Sequence, residues 1–177
     1  MLRYFAMICL LILPGLSSAK DIEKYVSGQT IQGPFKTKVI EGGELSFLST
    51  GDIEFPVSLV MDVVKDGKTK KRSLIDKYDV AGSDPKVETV FFYPVRGKPN
   101  VLVLVSWELN SRGLGTYGVL YQVYAYEQNS QRELVANNII KHDKKMSGIE
   151  GYQEGEEAHF KYKDAASIKA YIKRSIN

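Results

Sequence analysis

The residues able to do chemistry in this chain are few and scattered. Gly113-Leu114-Gly115-Thr116-Tyr117-Gly118 spells GxGxxG. A dinucleotide cradle needs a strand before that motif and a helix after it, so that the pyrophosphate meets a helix N-terminus. Here Val119 to Tyr126 reads as a strand, so the glycines predict a hairpin loop that uses positive φ. The two histidines, His142 and His159, lack HExxH or any other two-ligand spacing. The single cysteine, Cys9, excludes an intramolecular disulfide and a multi-cysteine metal site. G-x-S-x-G, the mark of a nucleophile elbow, is absent. No catalytic, cofactor-binding or metal-ligating set emerges, and the chain reads as non-enzymatic. Triads assemble in space rather than in sequence, so a hydrolase with an unrecognised site stands as an alternative.

Two charged clusters and a group of tyrosines remain. Lys65-Asp66-Gly67-Lys68-Thr69-Lys70-Lys71-Arg72 carries five bases and one acid around Asp-Gly. Its plain reading is a solvated hairpin tip whose lysines guard a sheet edge; its functional reading is contact with an anionic partner. Gly148 to Glu157 (GIEGYQEGEE) carries four acids, three glycines and no base. Like charges so close repel, which predicts an extended, exposed loop. As a recognition loop it would approach a basic patch or cleft, with Tyr152 as the amphipathic anchor and Glu154, Glu156 and Glu157 supplying charge. Arg112, at the glycine-rich loop, joins these as a partner-contact candidate. Calcium binding is a further option, but the alternating Asp/Asn ligands of an EF-hand are missing. Four of the eleven tyrosines lie in Tyr117–Tyr126. Their alternation puts Tyr117 and Tyr121 on one face and Tyr124 and Tyr126 on the other, so at least half serve the core.

The elements that must position these residues are mainly strands. Phe35–Ile40 and Leu45–Ser49 flank Gly42-Gly43; Val57–Lys65 and Lys68–Tyr78 flank Asp66-Gly67, the strongest short hairpin signal. Val87–Val95, Val101–Leu109, Thr116–Glu127 and Arg132–Ile140 follow as a meander resembling one β-propeller blade. A repeat of about 40–50 residues, which a propeller requires, is absent. His159–Lys163 is predicted as a last short strand. Val101, Val103, Val105 and Trp107 point one way and Leu102 and Leu104 the other, so the central strands are apolar on both faces and must be covered on both. A short helix capped by Asp21, with Ile22, Tyr25 and Val26 at helical spacing, opens the domain. Asp164 caps a C-terminal helix whose Ile168, Tyr171, Ile172 and Ile176 form one stripe. The expected fold is mainly β: an antiparallel meander or sandwich-like sheet, with the short N-terminal helix and the amphipathic C-terminal helix packed on it.

Met1 to Ala19 is predicted to leave this domain. Arg3, the apolar run Phe5–Leu13, the break at Pro14-Gly15 and the small residues Ser17-Ser18-Ala19 form a secretory signal peptide cut after Ala19. Nine apolar residues are too few to span a bilayer, which takes about 20. Cleavage removes 19 of 177 residues, leaves a single domain at 20–177, takes away Cys9, and lowers the net charge from +3 to +2 because Arg3 is the only charged residue lost. Such a low charge argues against a nucleic-acid partner. The mature protein is expected in the periplasm or outside the cell, with no transmembrane anchor and no crosslink.

These features point to a non-enzymatic domain that binds another protein. The leading form is an inhibitor or immunity-type protein that blocks a toxin or enzyme acting in the bacterial envelope. The alternative is an envelope module that recognises cell-wall polysaccharide, peptidoglycan or lipid.

Overall fold

A computed structural model describes residues 19–177. Among the described residues, ten strands form two antiparallel sheets, with three short α-helices. The first sheet runs β1 (Gln29–Thr37), β2 (Gly43–Ser49), β3 (Val57–Lys65), β4 (Lys68–Tyr78) in spatial as in chain order. The second holds β5 (Lys86–Val95), β6 (Lys98–Ser111), β7 (Thr116–Gln128), β8 (Leu134–Ala136), β9 (Ser147–Gln153) and β10 (Glu156–Ala158). Its order is β10-β9-β7-β6-β5, with β8 pairing the far end of β7.

The two-faced apolar pattern of the central strands is satisfied by a different cover on each side. Val101, Val103, Val105 and Trp107 of β6 pack with Tyr126 of β7 against Leu45, Phe47, Leu59, Met61 and Tyr78 of the first sheet. Leu102 and Leu104, with Val123 and Ala125, face α3 (Ala165–Ser175) through Ile168, Tyr171 and Ile172. Asp164 caps α3, its Oδ1 accepting the Ser167 N–H at 2.8 Å. Each fully buried aliphatic side chain at this layer contributes about 1.5–3 kcal/mol relative to exposure. On the far side of the first sheet, Ser58 is fully buried and donates its hydroxyl to the Tyr25 carbonyl of α1 (Ala19–Val26) at 2.6 Å. The layers therefore run helix, sheet, sheet, helix.

A buried hydroxyl chain joins the sheets. Tyr126 Oη donates to Asp76 Oδ2 at 2.8 Å and lies 2.8 Å from Tyr78 Oη. Tyr126 has one proton and gives it to the carboxylate, so the Tyr78 hydroxyl donates to Tyr126. Burial pushes both phenols well above the ordinary tyrosine range.

Several boundaries depart from the expectation. The first helix starts at Ala19 rather than after Asp21, and Ile22 is exposed, so only Tyr25 of the expected stripe is buried. The rest of the expected signal segment lies outside the described residues. The first strand is Gln29–Thr37, not Phe35–Ile40: register shifts flank Gln32 and accommodate Gly33-Pro34, and Thr37 Oγ1 takes the Val39 N–H to end the strand. Val39 and Ile40 still reach the core. The expected strand Arg132–Ile140 shrinks to β8, because the buried Asn137 caps α2 (Asn138–Lys141) by accepting the Ile139 and Ile140 N–H groups. Residues 159–163 form no strand; the acidic segment before them does.

Candidate partner-binding face

Helix α3 covers only part of the outer face of the second sheet. The rest is crossed by three rows of side chains fixed by antiparallel register. They are Lys86–Ser106–Tyr121–Gly148, Glu108–Val119–Glu150, and Asn110–Tyr117–Tyr152–Glu157. Phe160 lies on the first row, stacked on Tyr121 at 5.6 Å between ring centroids. Gly148 makes room for it, since a Cβ there would stand 2.7 Å from Phe160 Cδ2.

The segment expected as an extended acidic loop is instead the β9–β10 hairpin, and it is anchored. Glu154 (φ 54°) and Gly155 (φ 87°) form its two-residue turn with both residues left-handed, the geometry that matches strand twist. The Glu154 N–H donates to Thr116 Oγ1 and the Gly155 N–H to the Gly115 carbonyl, which ties this turn to the β6–β7 turn. Gly118 faces Gly151 across the ladder, with φ of 127° and 141°. A Cβ on Gly118 would stand 2.2 Å from the Glu150 carbonyl oxygen, so the strands meet where only glycine fits. Repulsion among the four acids is relieved at Glu150. Its carboxylate meets Lys163 Nζ at 3.0 Å and the Phe160 N–H at 2.9 Å, and Lys163 above all holds its pKa below the usual range.

The third row ends in a ring stack. Tyr117 and Tyr152 lie nearly parallel with centroids 4.8 Å apart, and the Arg112 guanidinium sits 4.5 Å from the Tyr117 centroid. Arg112 and Tyr152, far apart in the sequence and both expected as partner contacts, are thus brought together by Tyr117. Tyr152 is 37% exposed, and Leu114 at the adjacent tip is 79% exposed. Glu157 stands opposite Tyr152 on the same face; Glu156 pairs with Gln153 and points to the other; Glu154 occupies the turn.

Beside the stack, a groove of about 510 Å³ is lined by Asp84, Glu88, Ser106, Glu108, Val119 and Tyr121, among others. Glu88 is engaged by Lys86 at 3.1 Å and Ser106 Oγ at 2.7 Å. Asp84 and Glu108, both on this groove, form no ion pair among the described residues. The face is therefore aromatic with uncompensated negative charge. No local signal marks Asp84, Glu108 or Tyr117 as partner residues: strand pairing sets Tyr117 beside Tyr152 and Glu108 in the neighbouring row, and Asp84 reaches the groove from the loop before β5.

The other candidates fall elsewhere. The expected glycine loop is the β6–β7 turn, and the strand β7 follows it. His142 is exposed, with Nδ1 2.8 Å from the Asn138 carbonyl oxygen. His159 is exposed between Glu150 and Glu157, 3.5 Å from each. Among the described residues no three His, Cys, Asp or Glu side chains cluster to hold a metal ion. The basic hairpin is the β3–β4 turn, with β4 an edge strand. Its Arg72 is engaged within the fold, donating to both Asp62 carboxylate oxygens at 2.8 and 2.6 Å and to the Val26 carbonyl. No helix among the described residues is long and apolar enough to cross a membrane. Against family models, curated proteins and solved structures alike, the chain finds no match.

Proposed function

We propose that this protein binds a basic protein partner through the outer face of its second sheet. Its form is that of an inhibitor or immunity-type protein blocking a toxin or enzyme in the bacterial envelope. The observation that carries this reading is the Arg112–Tyr117–Tyr152 stack standing beside the uncompensated carboxylates Asp84 and Glu108. Tyrosine and arginine are the residue types on which interface energy concentrates, and here they are held rigid before any partner arrives. The surrounding acids would steer a cationic cleft toward them and raise the association rate. Export by the segment Met1–Ala19 would bring the protein to such a partner.

The reading is tested by capture from an envelope extract on immobilised protein. Wild type is expected to retain a basic protein that elutes as salt is raised. Tyr152→Ala with Glu108→Lys should lose it. Glu154→Ala/Glu156→Ala/Glu157→Ala tests the hairpin acids alone; unchanged retention removes them from the mechanism. Retention undiminished by Tyr152→Ala with Glu108→Lys would overturn the assignment of this face. Cell-wall polymer binding lost on replacing Lys65, Lys68 and Lys71 would favour the envelope-module alternative.

A further inference from the structure

We propose a second site at the opposite end of the β5–β6 hairpin: a cleft for a free fatty acid, an apolar acyl chain ending in a carboxylate. There the inward face of the second sheet runs out from under the first. Phe92 pairs with Val101 and Pro94 with Pro99 across the ladder, so all three outer members, Phe92, Pro94 and Pro99, stand on the side of the sheet that faces the first sheet. Deeper along this face Val101 is fully buried, whereas Phe92 is 43% exposed. With Val39 these residues line a cleft of about 450 Å³, within the range of small-molecule sites.

The lining fixes the chemistry of the ligand. Asn100 alternates with Val101, so its buried amide turns to the opposite face of the sheet, where Nδ2 donates to the Lys98 carbonyl and Oδ1 accepts from Asn137. The floor thus offers apolar contact, and the body of the ligand must be apolar. The charged lining residues are Lys36 and Lys38, both exposed, and no acid lines the cleft. Glu44 faces Lys36 across the β1–β2 ladder, leaving Lys38 the less compensated cation. Neither lysine forms an ion pair among the described residues. An anionic head on an apolar chain satisfies both halves of the site: the chain covers Phe92 and the prolines, and the carboxylate meets the ammonium groups at the rim. The site is independent of the partner-binding face, which lies at the β6–β7 end of the same sheet.

Calorimetric titration of the full chain with dodecanoate, below its micelle concentration, tests this. One saturable site per chain is expected, with dodecanol about tenfold weaker and butyrate showing no saturable binding. Phe92→Glu, at an exposed position, should abolish binding while leaving the thermal transition in place. Lys36→Glu/Lys38→Glu should weaken dodecanoate by about tenfold and leave dodecanol unchanged. Wild-type affinity in a folded Phe92→Glu variant would overturn the proposal. So would dodecanol binding as well as dodecanoate, or binding of anionic vesicles without binding of monomeric dodecanoate.

Discussion

Replacing Tyr126 by Phe should be among the costliest single-atom deletions in the protein, and the cost should exceed that of Tyr78→Phe. Tyr126 is the middle of the buried chain Tyr78–Tyr126–Asp76. Without its hydroxyl, the Tyr78 O–H is left without a partner at zero exposure, which costs about 1–3 kcal/mol. The bond to the Asp76 carboxylate is lost as well. Bonds to charged groups are worth about 1.5–3 kcal/mol, and the low end applies because Asp76 is half-buried and keeps the Lys77 N–H. The sum is about 3 kcal/mol, or roughly 6–12 °C in Tm for a domain of this size. Tyr78→Phe removes only the outer, neutral bond and should cost about 0.5–1.5 kcal/mol. In the double variant no hydroxyl is orphaned, so its cost should fall short of the sum of the singles by about 1 kcal/mol. Urea unfolding reads this cleanly, because Trp107 is the single tryptophan and is buried, its Nε1 donating to the Asp79 carbonyl. Equal losses for the two single variants, or strict additivity in the double, would refute the donor direction and the burial argument.

Other outcomes follow from the same physics. Gly118→Ala should cost at least about 2 kcal/mol in urea unfolding, since its Cβ would run into the Glu150 carbonyl at a positive φ. Asn137→Ala should cost about 2–3 kcal/mol. It removes a buried helix cap together with the bonds to Asn100 and Glu127, and loss of helix signal alone would understate it. Stability should fall at both extremes of pH. Glu150 and Asp164 have depressed pKa values, so their contribution is present above the unfolded carboxylate pKa and is lost as pH falls below about 4. Tyr78 and Tyr126 have raised ones, so theirs is intact below the unfolded tyrosine pKa of 10.0 and declines as pH climbs past it. A thermal-shift series from pH 2 to 11 with no loss beyond pH 10 would contradict the buried hydroxyl chain.

What was legible in the sequence was local. Asp66-Gly67 sets β3 and β4 because both residues take positive φ, 53° and 69°, and the turn fixes the register. The strict alternation of Val101–Trp107 gave both apolar faces correctly, and Asp164 marked the start of α3. What was not legible was non-local or disguised. Composition made Gly148–Glu157 look like a solvated loop, although Glu154-Gly155 is the same turn chemistry as Asp66-Gly67. The need for glycine at 118 and 151 exists only once β9 lies beside β7, and no single strand reveals that pairing. In the candidate site, Arg112 and Tyr152 could be chosen for their side-chain chemistry. Tyr117 and Glu108 could not, because their place depends on which strands become neighbours.

The central claim is that the partner sits on the outer face of the second sheet. Hydrogen–deuterium exchange of the protein, alone and with the captured partner, measures this most directly. Protection is expected in residues 106–121 and 147–157, with the Lys65–Arg72 turn and the Phe92 cleft unchanged. Protection confined to residues 65–72, with the β6–β7 and β9–β10 turns exchanging as in the free protein, would contradict it.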